Sequence, residues 1–162
     1  MNTQNFSISY ETYSGLDELS ATDKMLCEKA KDAMATSHSP YSKFKVGTAI
    51  LLADDQIVLG SNQENVAYPS GLCAERVALF YIGSNNPKAV IKTMAITAQT
   101  DVFKIVNPVT SCGGCLQVMI EAEKKQGSPI EVLFYCIDGQ ILKVKSVKNL
   151  IPFAFVEDRL GA

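Results

Sequence analysis

The sequence predicts an α/β protein: a three-layer α-β-α sandwich around a mixed five-stranded sheet whose last two strands form an antiparallel hairpin. Three observations carry this prediction. Stretches with helical spacing alternate with short apolar runs in the order helix, two strands, helix, strand, helix, two strands. Glycine, proline and acidic turn signals separate them. The 162 residues also suffice for one domain with its own core, so any bound metal is free to serve chemistry rather than hold the fold together.

Residues 1–16 are polar with scattered aromatics and no sustained period, and read as an N-terminal extension; residues 17–162 read as the domain. From Asp17, Leu19, Leu26, Ala30, Ala33 and Met34 fall at mostly helical spacing, with Ser20 placed to cap and Asp23 three residues on. Ser39-Pro40 ends this first helix, because proline disfavours helical geometry in the residue before it. FKVGTAILLA, the turn DDQ and IVLGSN predict an antiparallel hairpin. LCAERVALFYIG predicts a helix ending at Gly83, IKTMAITA a strand, and CLQVMIEAEKKQG a helix closed by Gly127. IEVLFYCI and QILKVK flank Asp138-Gly139 as the final hairpin, and SVKNLIPFAF suggests one helical turn broken by Pro152. Strands joined through whole helices are expected to run parallel.

Hydrophobic residues make up 47% and charged residues 20%, as expected of a compact domain rather than a disordered chain. Fifteen basic residues against 17 acidic ones, with the lysines spread along the chain, argue against a nucleic-acid groove. No basic segment followed by an apolar run opens the sequence, and the stretch Val46 to Ala53 is too short to span a bilayer. The expectation is a cytoplasmic protein with no membrane partner. Five cysteines, an odd number, suit reduced thiols used as ligands or nucleophiles.

Three of them fall in two short motifs, CAER at 73–76 and CGGC at 112–115. A C-x-x-C can bind one tetrahedral metal ion or cycle as a dithiol at a helix N-terminus. If Cys73 joins Cys112 and Cys115, the protein supplies three ligands and leaves a fourth position open, the pattern of a catalytic zinc site. Glu75, two residues from a ligand, is then the candidate catalytic carboxylate. Three thiolates on Zn²⁺ leave a net −1, which opposes ionisation of water; Arg76, one turn beyond Cys73, can donate to the thiolates and offset the excess. The alternatives are a dithiol redox protein, in which Glu75 is dispensable, and a structural zinc module closed by Cys27 or Cys136.

With these motifs the sequence resembles the cytidine deaminase family, in particular its small homotetrameric form whose zinc is held by cysteines alone. PYSKFKVG at 40–47, SNQENVAYPSGLCAER at 61–76, CGGCLQV at 112–118 and LIPFAF at 150–155 match its blocks in order. The resemblance implies one zinc per subunit on Cys73, Cys112 and Cys115, with Glu75 moving protons and Arg76 moderating thiolate charge. It implies that Asn62 and Glu64 bind the ribose 3′-hydroxyl, that Phe44 packs on the pyrimidine, and that Phe155 reaches a neighbouring subunit's active site, with Tyr41 at a subunit contact. Without the resemblance, Phe44 and Phe155 read as core residues and Asn62 as a turn residue. The implied reaction converts cytidine and 2′-deoxycytidine to uridine and 2′-deoxyuridine with release of ammonia, in pyrimidine salvage. The alternative substrate is another small aminated pyrimidine or a nucleoside analogue. The chain departs from the family pattern at Ser111, where proline is usual, and at Leu116, where arginine is usual.

Overall fold

A computed structural model describes residues 1–157 and 159. The end of the domain expected at 17–162 therefore includes four residues, at 158 and 160–162, that lie outside the described ones. The elements are β1 (Glu11–Tyr13), α1 (Ala21–Ala33), β2 (Phe44–Leu52), β3 (Ile57–Ser61), α2 (Ala74–Asn85), β4 (Ile91–Thr100), α3 (Gly113–Gln126), β5 (Glu131–Tyr135) and β6 (Ile141–Val144).

The sheet has six strands, in the order β1-β6-β5-β4-β2-β3, and not the expected five. The added strand comes from the segment read as an extension. Glu11, Thr12 and Tyr13 pair antiparallel with Lys143, Leu142 and Ile141 at the sheet edge, and Lys145 bonds Glu11 across that edge at 3.4 Å. Three residues are too few to show alternation, so edge pairing rather than sequence pattern defines this strand. The final hairpin is also shorter than expected: β5 stops at Tyr135 and β6 resumes at Ile141, with 136–140 as the connection. Among the described residues, only β4 and β5, joined through α3, are parallel neighbouring strands. Although α2 separates β3 from β4, these strands do not pair, because β2 lies between them and is antiparallel to both.

Strand alternation sends successive residues to opposite faces. Ala49, Leu51, Ala95, Leu133 and Tyr135 meet Leu26, Cys27 and Ala30 of α1 on one face. Ile50, Leu52, Met94, Ile96, Val132 and Phe134 meet Ala78, Leu79, Ile82, Met119 and Ile120 of α2 and α3 on the other. Ser20 caps α1 as expected, its hydroxyl accepting from the Asp23 amide, a bond that contributes about 1 kcal/mol. Gly83 does not end α2. The helix runs on to Asn85, whose side chain donates to the Tyr81 carbonyl, and the chain turns out at Asn86-Pro87. Gly127 does end α3, at φ 68°.

Two features set the site. Gly60 of β3 lets the start of α2 approach closely: a Cβ there would lie 2.5 Å from the Ala74 carbonyl oxygen. Glu123, near the end of α3, accepts from Ile130, which leads into β5, and from Ser146, Val147 and Lys148, which follow β6. The N-termini of α2 and α3 come together, so that Cys73, Cys112 and Cys115 converge.

Candidate active site and metal centre

Cys73 is the N-cap of α2 and Cys112 the N-cap of α3, both in extended backbone geometry and neither capping with its side chain. Their sulfurs are therefore left for another partner, in the positive end of two helix dipoles. Cys115, in the first turn of α3, is fully buried beneath them. The three Sγ atoms lie within 4.8 Å of one another, and Cys112 and Cys115 are 3.6 Å apart. Thiolates about 2.3 Å from a tetrahedral zinc would sit about 3.8 Å from each other, so the donor set fits that ion.

The surroundings favour the thiolate of Cys73. The thiol of Cys115 donating to Cys73 draws Cys73 down to about 6, against the pull of burial and with Arg76 adding to it. The same contact, with burial, pushes Cys115 upward. Arg76 reaches Cys73 Sγ with Nη2 at 3.9 Å and the Gly71 carbonyl at 3.5 Å, while its buried Nε has no hydrogen-bond partner among the described residues. A half-buried guanidinium with an unspent Nε donor is suited to a cluster that carries excess negative charge.

Glu75 is 3% exposed and borders a cavity of about 780 Å³ that also takes in Cys73, Arg76 and Cys112. The same cavity is lined by Phe44, Asn62 and Glu64, with Tyr41 and Tyr68 at ring centroids 6.0 Å apart. Six of the expected site residues beside the buried Cys115 and the helix-borne Glu75 are thus brought together. Phe155 is not among the lining residues. Its ring is 72% exposed, which also excludes the core reading, and its backbone is held by Gln117, whose amide donates to the Phe155 carbonyl at 2.8 Å and accepts from its amide at 3.2 Å.

The closed-metal alternative finds no support in the two remaining cysteines. Cys27 lies in the α1 face of the core, where burial pushes its thiol up to about 12, and Cys136 donates to the Ile105 carbonyl at 3.5 Å.

The model of the cytidine and deoxycytidylate deaminase zinc-binding region matches residues 20–127. The chain belongs to this family. It is 35% identical over 140 residues to the cytidine deaminase of Halalkalibacterium halodurans, covering 85% of this chain and 97% of that one. It is 38% identical over 139 residues to that of Sporosarcina psychrophila, covering 86% and 94%. Among solved structures, a cytidine deaminase from Burkholderia pseudomallei superposes with a TM-score of 0.71 at 33% identity, over 85% of this chain and all of the other.

For a family member, two polar residues of the cavity are already heavily engaged. Asn62 Oδ1 accepts from the Val46 amide at 2.8 Å and from the Ser37 hydroxyl, and its Nδ2 donates to the Phe44 carbonyl at 2.9 Å. One Nδ2 proton remains for a ligand. Glu64 accepts from the Tyr41 and Ser42 amides and from the Ser42 hydroxyl, which hold its carboxyl below the usual range. Both residues therefore shape the 41–46 segment that carries Phe44. Sequence reasoning missed the contact of Ser111 with Glu75, 2.6 Å from hydroxyl to Oε1, and the Gln117 clamp on Phe155. The departure at Ser111 was the available signal for the first; a side-chain amide one residue past Leu116 gave none for the second.

Proposed function

We propose that the chain is a zinc-dependent hydrolase that deaminates cytidine and 2′-deoxycytidine to uridine and 2′-deoxyuridine, releasing ammonia, as in pyrimidine salvage. The observation that carries the reading is Glu75: a buried carboxylate facing a nucleoside-sized cavity beside three convergent thiols.

Cys73, Cys112 and Cys115 hold one zinc per subunit, which supplies Lewis acidity that makes an attacking water nucleophilic. Glu75 accepts a proton from that water and passes it to ring N3 as the oxygen adds to C4. It then carries the second proton to the exocyclic nitrogen, which leaves as ammonia. Arg76 balances thiolate charge. Phe44 packs on the pyrimidine, and Asn62, with its remaining proton, and Glu64 hold the ribose 3′ side.

The assembly in the same proposal is a homotetramer. Phe153 and Phe155, 92% and 72% exposed, are aromatic rings that a neighbouring subunit would cover, and Phe155 would complete that neighbour's site. Residues 17–162 form the deaminase domain, with 1–16 as an extension docked through β1. Among the described residues, no helix is long and apolar enough to cross a membrane, in keeping with a cytoplasmic enzyme.

The test is the absorbance change on incubating zinc-loaded protein with cytidine, 2′-deoxycytidine, CMP and cytosine. Turnover of the two nucleosides is expected. If all four substrates stay unchanged, the proposal is lost.

A further inference from the structure

Glu75 is buried, yet among the described residues one side chain alone donates to it: the Ser111 hydroxyl, 2.6 Å from Oε1. The bond joins the two helix-opening segments of the site across 36 positions of sequence, because Ser111 precedes the N-cap of α3 and Glu75 follows the N-cap of α2. The ring-facing residues do not reach this carboxylate with a hydrogen bond, and Arg76 spends its contacts on Cys73 and Gly71.

We infer that Ser111 is a positioning residue for the deamination: its hydroxyl fixes Oε1 of Glu75, so that the proton travels on Oε2. A carboxylate with one oxygen tied cannot turn about its terminal torsion without breaking that bond, and its second oxygen stays aimed at the reacting atoms. Both proton transfers assigned to Glu75 use the same oxygen in two directions, from water to N3 and then to the leaving nitrogen. Losing the tie leaves the carboxylate free to rotate between the two events, and misorientation of a catalytic group is costly in rate. Oε1 remains an acceptor when Oε2 carries the proton, so the hydroxyl goes on donating in both protonation states of the carboxyl. Substrate affinity does not depend on this bond, since Ser111 touches Glu75 rather than the cavity's nucleoside-facing wall.

This inference rests on the deaminase reading, and the experiment separates the two. Wild type, Ser111→Ala, Ser111→Thr, Glu75→Gln and the Ser111→Ala/Glu75→Gln double variant are assayed with cytidine and analysed for zinc. An inactive zinc-loaded wild type defeats the deaminase reading itself. With an active wild type, Ser111→Ala is expected to lower kcat by about 10- to 100-fold with KM and zinc content unchanged, and Ser111→Thr to restore most of it. In the Glu75→Gln background the alanine should add little. A second readout is calorimetric binding of a ring-reduced uridine bearing a hydroxyl on a tetrahedral C4, compared with uridine. Ser111→Ala should weaken the tetrahedral ligand by a factor similar to its kcat loss and leave uridine unchanged. The inference is overturned by a kcat for Ser111→Ala within about 2-fold of wild type, by a loss confined to KM or zinc, or by an equal loss in the Glu75→Gln background.

Discussion

Two carboxylates, Glu75 on α2 and Glu123 on α3, are nearly equally hidden, at 3% and 9% exposure, and each borders a cavity, of about 780 and about 510 Å³. What separates them is the supply of donors. Glu123 Oε2 accepts from the amides of Ile130 and Val147, both at 2.8 Å, and Oε1 from the Ser146 hydroxyl at 2.7 Å and the Lys148 amide at 3.3 Å. Among the described residues, Glu75 has the Ser111 hydroxyl alone. A carboxylate whose lone pairs are filled by the chain ties elements together and has nothing left for a ligand. One that is buried with an oxygen open keeps acceptor capacity that a reaction can use. Burial and a neighbouring cavity do not separate the two carboxylates; unspent hydrogen-bonding capacity does, and it makes Glu75 the candidate for the proposed proton transfers.

Exchanging each carboxylate should therefore give opposite outcomes. Glu75→Gln is expected to lower kcat for cytidine by about 10²- to 10⁴-fold while unfolding free energy stays within about 1 kcal/mol, read by steady-state kinetics and urea titration. Retention of full rate would remove Glu75 from the proton path. Glu123→Ala should do the reverse. Stranding three buried or half-buried amides and a hydroxyl costs about 3 kcal/mol in the same titration, with kcat of the folded fraction close to wild type. A kinetic loss without a stability loss would erase the distinction.

The cysteines extend the comparison to thiols. Cys73 is drawn down to about 6 in its donor-rich cluster, whereas burial, then Asp23 and Glu28, push the sealed Cys27 up to about 12. Because Cys27 keeps its proton in the folded state up to about 12 but loses it near 9 when unfolded, its contribution is complete below 9 and is lost as pH rises beyond. The slope reaches at most about 1.4 kcal/mol per pH unit within that window. Urea titrations at pH 9 and pH 10, where the unfolded thiol is still part-way through its titration, should show wild type losing about 1 kcal/mol more stability than Cys27→Ala. Equal losses in the two proteins would refute the sealed environment. The smallest effect concerns the exposed aromatic that the chain presents rather than buries: Phe155→Ala should raise KM for cytidine about 3- to 10-fold, the worth of one aromatic contact, and an unchanged KM would refute the shared site.

How much of this was legible in the sequence follows the same division. The thiol cluster and Glu75 could be read because metal ligation constrains residue type and spacing at once, and Ser20 and Gly127 because helix ends have local chemistry. β1 could not be read, since three residues owe their strand to the β6 edge they meet. Gly83 misled because a glycine ends a helix only where a left-handed turn follows, and here the helix continues for two residues more. Asn62 and Glu64, expected to hold the ribose, line the cavity, yet their engagement with the 41–46 segment depends on folded distances that no spacing encodes. Ser111 showed itself only as a departure from pattern; its partner, 36 positions away, appears when the two helix N-termini are brought together.

The most direct test of the account is the stoichiometry of the reaction it assigns. Zinc-loaded protein incubated with cytidine should release ammonia and uridine in equal amounts, lose both on chelation of the metal, and regain both when zinc is returned. Protein carrying one zinc per chain that yields no ammonia from cytidine would contradict it.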